Sequence, residues 1–251
     1  MPNWVYNTVT IQGPKEQVDY AKARLNTPFT RDHENWDMKT QSMKTETVTF
    51  SNPVFSFWNI HRPTDLEAYS KQADHAQQKK ELESGILFQG NDWYSFNCRE
   101  WGTKWDVAVA DGTSYCDTYL VEHMSKGEDQ WLVYRFDTAW SPPVAGLAKL
   151  SNMVPNCVIT LSWEEEQGFG GEIEFVRGEI TADSEYESKC RDCDAEDCVE
   201  YCDNDCGQIC SSCNYLGEAD LDCVAECDEH KVFLDKEHLP NYRWDKLDAG
   251  V

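Results

Sequence analysis

Residues 3 to 12 alternate in two phases, with Val5, Asn7, Val9 and Ile11 on one and Trp4, Tyr6, Thr8 and Thr10 on the other. The β-branched and aromatic content predicts a strand. Gly13-Pro14 breaks it, and Val18, Ala21 and Leu25 then fall at helical spacing, so a helix is expected over 14 to 25. Residues 26 to 45 are polar and unpatterned and read as a loop or insertion. Residues 47 to 60, rich in Val, Phe and Trp, read as a strand, with Pro53 marking an edge or a break. The polar stretch 63 to 84 reads as a surface helix or a lid. Residues 91 to 98 suit a short helix or strand, and 107 to 110 and 115 to 121 fit either type.

The second half is clearer. Residues 131 to 136 predict a strand, 142 to 153 a helix with Val144, Leu147 and Leu150 inward, and 157 to 164 and 170 to 177 two more strands. Ser141 is the expected N-cap of that helix and Pro142 its first residue, where a missing N–H costs nothing. Gly168-Phe169-Gly170-Gly171 follows three carboxylates and lacks the lysine and helix of a phosphate loop, so a hairpin turn explains the glycines better. Strand-helix-strand, a middle segment, then strand-helix-strand-strand suits an α+β fold with helices on one face of an antiparallel sheet.

Composition changes the picture at the C-terminal end. Of 251 residues, 46 are acidic and 22 basic, a formal net charge of −24. A field of that sign repels phosphate backbones, so direct nucleic-acid binding is not expected, whereas it suits either a basic protein partner or solubility alone. No apolar run approaches the roughly 18 residues of a membrane span, and Met1-Pro2-Asn3-Trp4 has no signal-peptide pattern, so no membrane partner and a cytoplasmic location are expected. Residues 181 to 251 hold 20 acidic and 6 basic side chains, a net of −14. They form an expected acidic, cysteine-rich appendage to a main domain over 1 to 180, with its end docking back on that domain.

Nine of the 12 cysteines lie between 190 and 227. The Cys-x2-Cys pairs Cys190/Cys193 and Cys210/Cys213 have the spacing of a four-thiolate zinc site. Cys198, Cys202, Cys206, Cys223 and Cys227 would supply a second ion or remain thiols, and the four-residue recurrence of Cys198, Cys202, Cys206 and Cys210 would line one side of a helix. Zinc, disulfides and a reduced flexible tail all remain open. Cys98, Cys116 and Cys157 read as small buried hydrophobes. His33, His61, His75 and His123 show no ligand spacing.

Four segments carry a family signature: Pro2-Asn3-Trp4 with Asn7-Thr8-Val9, Glu100-Trp101-Gly102-Thr103-Lys104-Trp105-Asp106, Phe136-Asp137-Thr138-Ala139-Trp140-Ser141-Pro142-Pro143, and the turn from Glu165 to Gly171. In this order they resemble the YubB-type ferredoxin-like family of plasmid and phage proteins, over about residues 1 to 180. The resemblance implies a ferredoxin-like fold with an insertion and no iron–sulfur cluster, and it brings no established activity. Within these segments Trp101, Lys104, Trp105, Asp137 and Trp140 are candidates for one pocket, with indole walls around a Lys–Asp pair. The alternative is that the tryptophans pack and the ion pair fixes a turn. The favoured function is a non-enzymatic mobile-element protein whose acidic surface binds a basic host protein, blunting a nucleic-acid-handling defence. A small-ligand or nucleotide-binding protein, with or without enzymatic activity, is the competing reading.

Overall fold

The computed structural model describes residues 3–71, 75–113, 118–126, 129–166 and 168–187, with the short stretches 199–201, 208–210 and 216–217. The chain divides into two units, 1–167 with 171–184, and 168–170 with 185–251.

In the first unit, β1 (Trp4–Pro14) carries the expected alternation, burying Val5, Asn7, Val9 and Ile11. It leads into α1 (Lys15–Leu25), which buries Val18, Ala21 and Leu25. After an insertion come β4 (Tyr119–Lys126), β5 (Asp129–Ala139), α6 (Val144–Met153) and β6 (Val158–Glu165). β1 lies antiparallel to both β5 and β6, and β5 antiparallel to β4. Two further strands, β7 (Gly170–Val176) and β8 (Glu179–Tyr186), complete a sheet ordered β4-β5-β1-β6-β7-β8. β1-α1-β4-β5-α6-β6 with the order β4-β5-β1-β6 is the split βαβ arrangement of a ferredoxin-like fold. Each crossover skips one strand, so β1 and β5 become the central pair.

The insertion holds β2 (Phe29–Asp37), β3 (Ser42–Phe50), α2 (Phe57–Ile60), α3 (Leu66–Ser70), α4 (His75–Ser84) and α5 (Trp93–Glu100). The expected loop at 26 to 45 is mostly the β2–β3 hairpin, in register from Phe29↔Phe50 to Asp37↔Ser42. β3 is almost wholly exposed, so neither face shows the apolar alternation that would mark a strand. The expected strand at 47 to 60 ends at Phe50, and Phe57–Ile60 forms one helical turn. Its cause lies far away in sequence. The Asp106 carboxylate accepts from the Ser56 hydroxyl at 2.8 Å and from the Phe57 and Trp58 amides at 2.9 and 3.2 Å. α5 is a helix because Asp92 caps it, accepting from the Tyr94 and Ser95 amides, each at 3.1 Å.

The inward residues of β1, β5 and β6, with α1, α6 and the aromatic residues of the insertion, form one core. Phe55 packs on Phe136 at 4.8 Å between ring centroids and edge-on to Tyr134 at 5.3 Å. Burying each such ring contributes roughly 2–3 kcal/mol, so the insertion is part of the hydrophobic core rather than a loose excursion. The turn between β6 and β7 uses Gly168 at φ 94°, a left-handed conformation suited to glycine, as the hairpin reading required.

In the second unit, β9 (Val199–Tyr201), β10 (Gln208–Cys210) and β11 (Leu216–Gly217) form an antiparallel sheet in the order β11-β10-β9. The helix expected through Cys198, Cys202, Cys206 and Cys210 is therefore corrected. Val199 pairs with Cys210 and Tyr201 with Gln208, an antiparallel ladder that helical spacing cannot produce.

Candidate functional site

The two longest signature segments meet at the end of β5. Trp101 is fully buried, stacks on Phe57 at 6.1 Å and donates its indole N–H to the His61 carbonyl at 2.9 Å. It belongs to the core and leaves the expected pocket set. Thr103 donates its hydroxyl to the Ala139 carbonyl at 3.2 Å, and Asp106 caps α2. From the other segment, Thr138 accepts from the Asn7 amide at 2.9 Å and donates to the Ser141 carbonyl at 2.8 Å. Ser141 is not the helix cap. α6 begins at Val144 after Pro143, and the Ser141 hydroxyl donates instead to the Gly102 carbonyl at 2.6 Å. The signature residues thus bind one another, which accounts for much of the motif structurally.

Three of the five candidates do come together. The Lys104 ammonium lies 4.6 Å from the centroid of Trp105 and 4.2 Å from that of Trp140, a cation held between two indole faces. Trp4 extends this cluster through Trp105 at 6.0 Å, and Tyr94 meets Trp140 edge-on at 5.8 Å. Trp140 is 46 % exposed and sits at φ 77°, a left-handed conformation that disfavours a bulky side chain. Its amide donates to the Asn3 carbonyl at 2.9 Å, which helps hold it there. Asp137 is half-buried, lies opposite Tyr6 in the β1–β5 register and alternates with the buried Phe136 and Thr138, so it belongs to the other face of the sheet. Burial pushes the neighbouring Tyr94 phenol up to about 12, leaving it a neutral donor at ordinary pH.

A second charged cluster had no sequence signal beyond Glu100. The His61 ring lies flat on Phe96 at 5.8 Å, with its Nε2 3.5 Å from Glu100. Glu100 accepts from Arg99 Nε at 2.8 Å and from Lys149 Nζ at 2.7 Å. Burial and the nearby Lys149 charge lower the His61 pKa, against an opposing pull from Glu100. Burial alone would raise the Glu100 carboxyl, but the Lys149 and Arg99 hydrogen bonds outweigh it and hold the group below its usual value. The cluster joins α2, α5 and α6.

The β7–β8 ribbon is strongly acidic. Residues 158 to 187 hold nine acidic side chains and one basic one, Arg177. β8 is exposed along almost its whole length, with Glu179, Asp183 and Glu185 at alternate positions on one face. The Thr181 hydroxyl, on the same face, donates to Glu174 at 2.6 Å, which brings Glu174 and Glu172 onto that face too.

The cysteine set Cys190, Cys193, Cys198, Cys202, Cys206, Cys213, Cys223 and Cys227 lies outside the described residues, as do Cys116 and the expected docking of the chain's end, while Cys210 is described only as the last residue of β10. Among the described residues no three His, Cys, Asp or Glu side chains converge as a metal-ligand group. Cys157 is buried and its thiol is pushed up to about 11, and burial does the same to Cys98, so neither is an activated nucleophile. No helix among the described residues is long and apolar enough to cross a membrane.

Fold and surface together define a ferredoxin-like α+β protein with a large aromatic insertion and an acidic sheet extension. Residues 121–203, from β4 to β9, match the family model described as the ferredoxin-like domain in Api92-like protein. Among solved structures, the crystal structure of a protein api92 from Yersinia pseudotuberculosis is similar over 76% of this chain and 100% of that one, at 10% identity and a TM-score of 0.37. No curated protein matches the chain.

Proposed function

We propose that this chain is a non-enzymatic interaction protein whose acidic face engages a basic partner protein. The observation that carries the reading is the β7–β8 face, with Glu172, Glu174, Glu179, Asp183 and Glu185 side by side. Like charges on adjacent strands cost stability in the free protein, and a cationic partner would relieve that repulsion. The net charge of −24 adds long-range attraction for such a partner. In the mobile-element setting that the sequence resemblance implies, the partner is a nucleic-acid-handling host defence protein in the cytoplasm, and the acidic face occupies its basic groove. The acidic cysteine segment adds to the net negative charge of the chain. Zinc held by Cys190, Cys193, Cys210 and Cys213 is the reading its spacing supports, with a second ion on the remaining five cysteines. The experiment is affinity capture from host lysate at about 0.15 M salt, alongside a variant carrying Glu172→Lys, Glu174→Lys, Asp183→Lys and Glu185→Lys. A basic protein captured by the wild type, released by salt and missed by the folded variant is the expected result. Equal capture by both, or by neither, would sink the proposal.

A second reading has its own support. Trp140 keeps a large exposed ring at φ 77°, where glycine would be easier, and strain of this kind concentrates at sites of function. Lys104 between Trp105 and Trp140 would then receive a small planar ligand. Lys104→Ala and Trp140→Ala are expected to abolish ligand binding while the fold survives. Unfolding of both variants would assign the cluster to the scaffold alone.

A further inference from the structure

A cleft of about 370 Å³ opens between the β2–β3 hairpin and helices α2 and α3, lined by Arg31, Trp58 and Tyr69 with the Thr30 and Thr45 hydroxyls at its edge. Its volume is in the range that holds a small molecule. The Arg31 guanidinium lies 5.2 Å from the Phe50 ring centroid and 5.9 Å from that of Trp58, a cation over two aromatic rings. Nη1 donates to the Tyr69 hydroxyl at 3.2 Å, and that hydroxyl donates to Asn97 Oδ1 at 3.1 Å. The Asn97 amide in turn donates to the Lys104 carbonyl at 2.9 Å, so the arginine is held to the core through two side chains, Tyr69 and Asn97.

The guanidinium uses one of its N–H groups in this chain and enters no ion pair with any described residue. That is unexpected where acidic side chains outnumber basic ones 46 to 22. Two carboxylates share the rim, but each is engaged, Asp32 by the Thr47 hydroxyl at 2.7 Å and Glu67 by Lys71 at 3.2 Å. Trp58 is 3 % exposed and its indole Nε1–H has no hydrogen-bond partner. A fixed, unpaired guanidinium fork beside an apolar indole wall matches an oxyanion carried on a flat or apolar body.

We propose that this cleft binds a small oxyanion-bearing ligand, a carboxylate or phosphate ester on an apolar body, through the Arg31 fork and the Trp58 wall. The site is separate from the acidic face and stands whether or not that face binds a partner. The test is calorimetric titration of the full chain with phenyl phosphate and with benzoate. Saturable binding of at least one is expected; preference for the first identifies a phosphate ligand and preference for the second a carboxylate. Arg31→Met removes the charge and is expected to weaken binding at least about tenfold. Arg31→Lys retains charge but lacks the fork, so it is expected to fold like the wild type and still bind several-fold more weakly. Failure of both probes to bind at millimolar concentration, or unchanged affinity in a folded Arg31 variant, would overturn the proposal.

Discussion

Asp106 shows how much one side chain organises here. Besides the Ser56 hydroxyl and the Phe57 and Trp58 amides, its carboxylate accepts from the Ala108 amide at 3.3 Å. Asp106→Ala would strand these donors in a buried site and is expected to cost roughly 3 kcal/mol in urea denaturation. A loss below about 1 kcal/mol would mean that α2 does not depend on this cap. His61 gives a second expectation. Its folded pKa lies below the ordinary 6.5, so the unfolded chain binds more protons. Its contribution is therefore complete above 6.5 and is lost as the pH falls through the folded value. Glu100 acts in the same sense at lower pH, since its folded pKa lies below 4.5. The denaturation midpoint should fall between about pH 7 and pH 5, and His61→Gln should flatten that slope. An identical slope in the variant would remove His61 from the account.

At the scale of elements, the β7–β8 hairpin turns on two residues, Arg177 at φ 55° and Gly178 at φ 85°. Both angles are positive, the conformation whose twist matches antiparallel strands and which favours Asn-Gly. Gly178 tolerates it without a Cβ, whereas a Cβ there would also meet Asn152 at 3.3 Å. Gly178→Ala should therefore destabilise by about 1–2 kcal/mol. Arg177→Asn should stabilise by up to about 1 kcal/mol, despite losing the 3.3 Å bond from Arg177 to the Pro155 carbonyl. Thermal midpoints moving in opposite directions would bear this out, and a fall in both would contradict it. The hairpin matters because it presents the acidic face.

At the scale of the whole molecule, a ferredoxin-like sheet carries two additions, the aromatic insertion between α1 and β4 and the acidic sequence from β7 onward. The insertion shares the core with β5 through Phe55 and Phe57. The acidic cysteine segment has few large apolar residues, and the zinc proposed for it would act as a staple. Elemental analysis of protein purified without chelator should find about one or two zinc ions per chain. The pair Cys190→Ser with Cys193→Ser should lower that content. Zinc-free wild-type protein would refute the assignment.

What the sequence determined by itself were the elements with one wet and one dry side. β1 and α1, with β5, α6, β6 and β7, were legible because each buries one face and so writes a period of two or of about 3.6 into its residues. The signature segments also marked in advance where Lys104, Trp105 and Trp140 would meet. Tertiary structure alone decided the rest. The β2–β3 hairpin leaves no periodic trace because most of β3 is exposed on both faces. α2 is a helix on account of Asp106, some fifty residues away. Trp101 and Trp140 look alike in sequence, yet one is fully buried and the other 46 % exposed, because only the packed neighbours distinguish a wall from a surface. The Arg31 cleft joins positions 38 residues apart through the Tyr69 hydroxyl. A site assembled from separate elements has no local spacing to read, so the chemistry became visible only once the chain had folded.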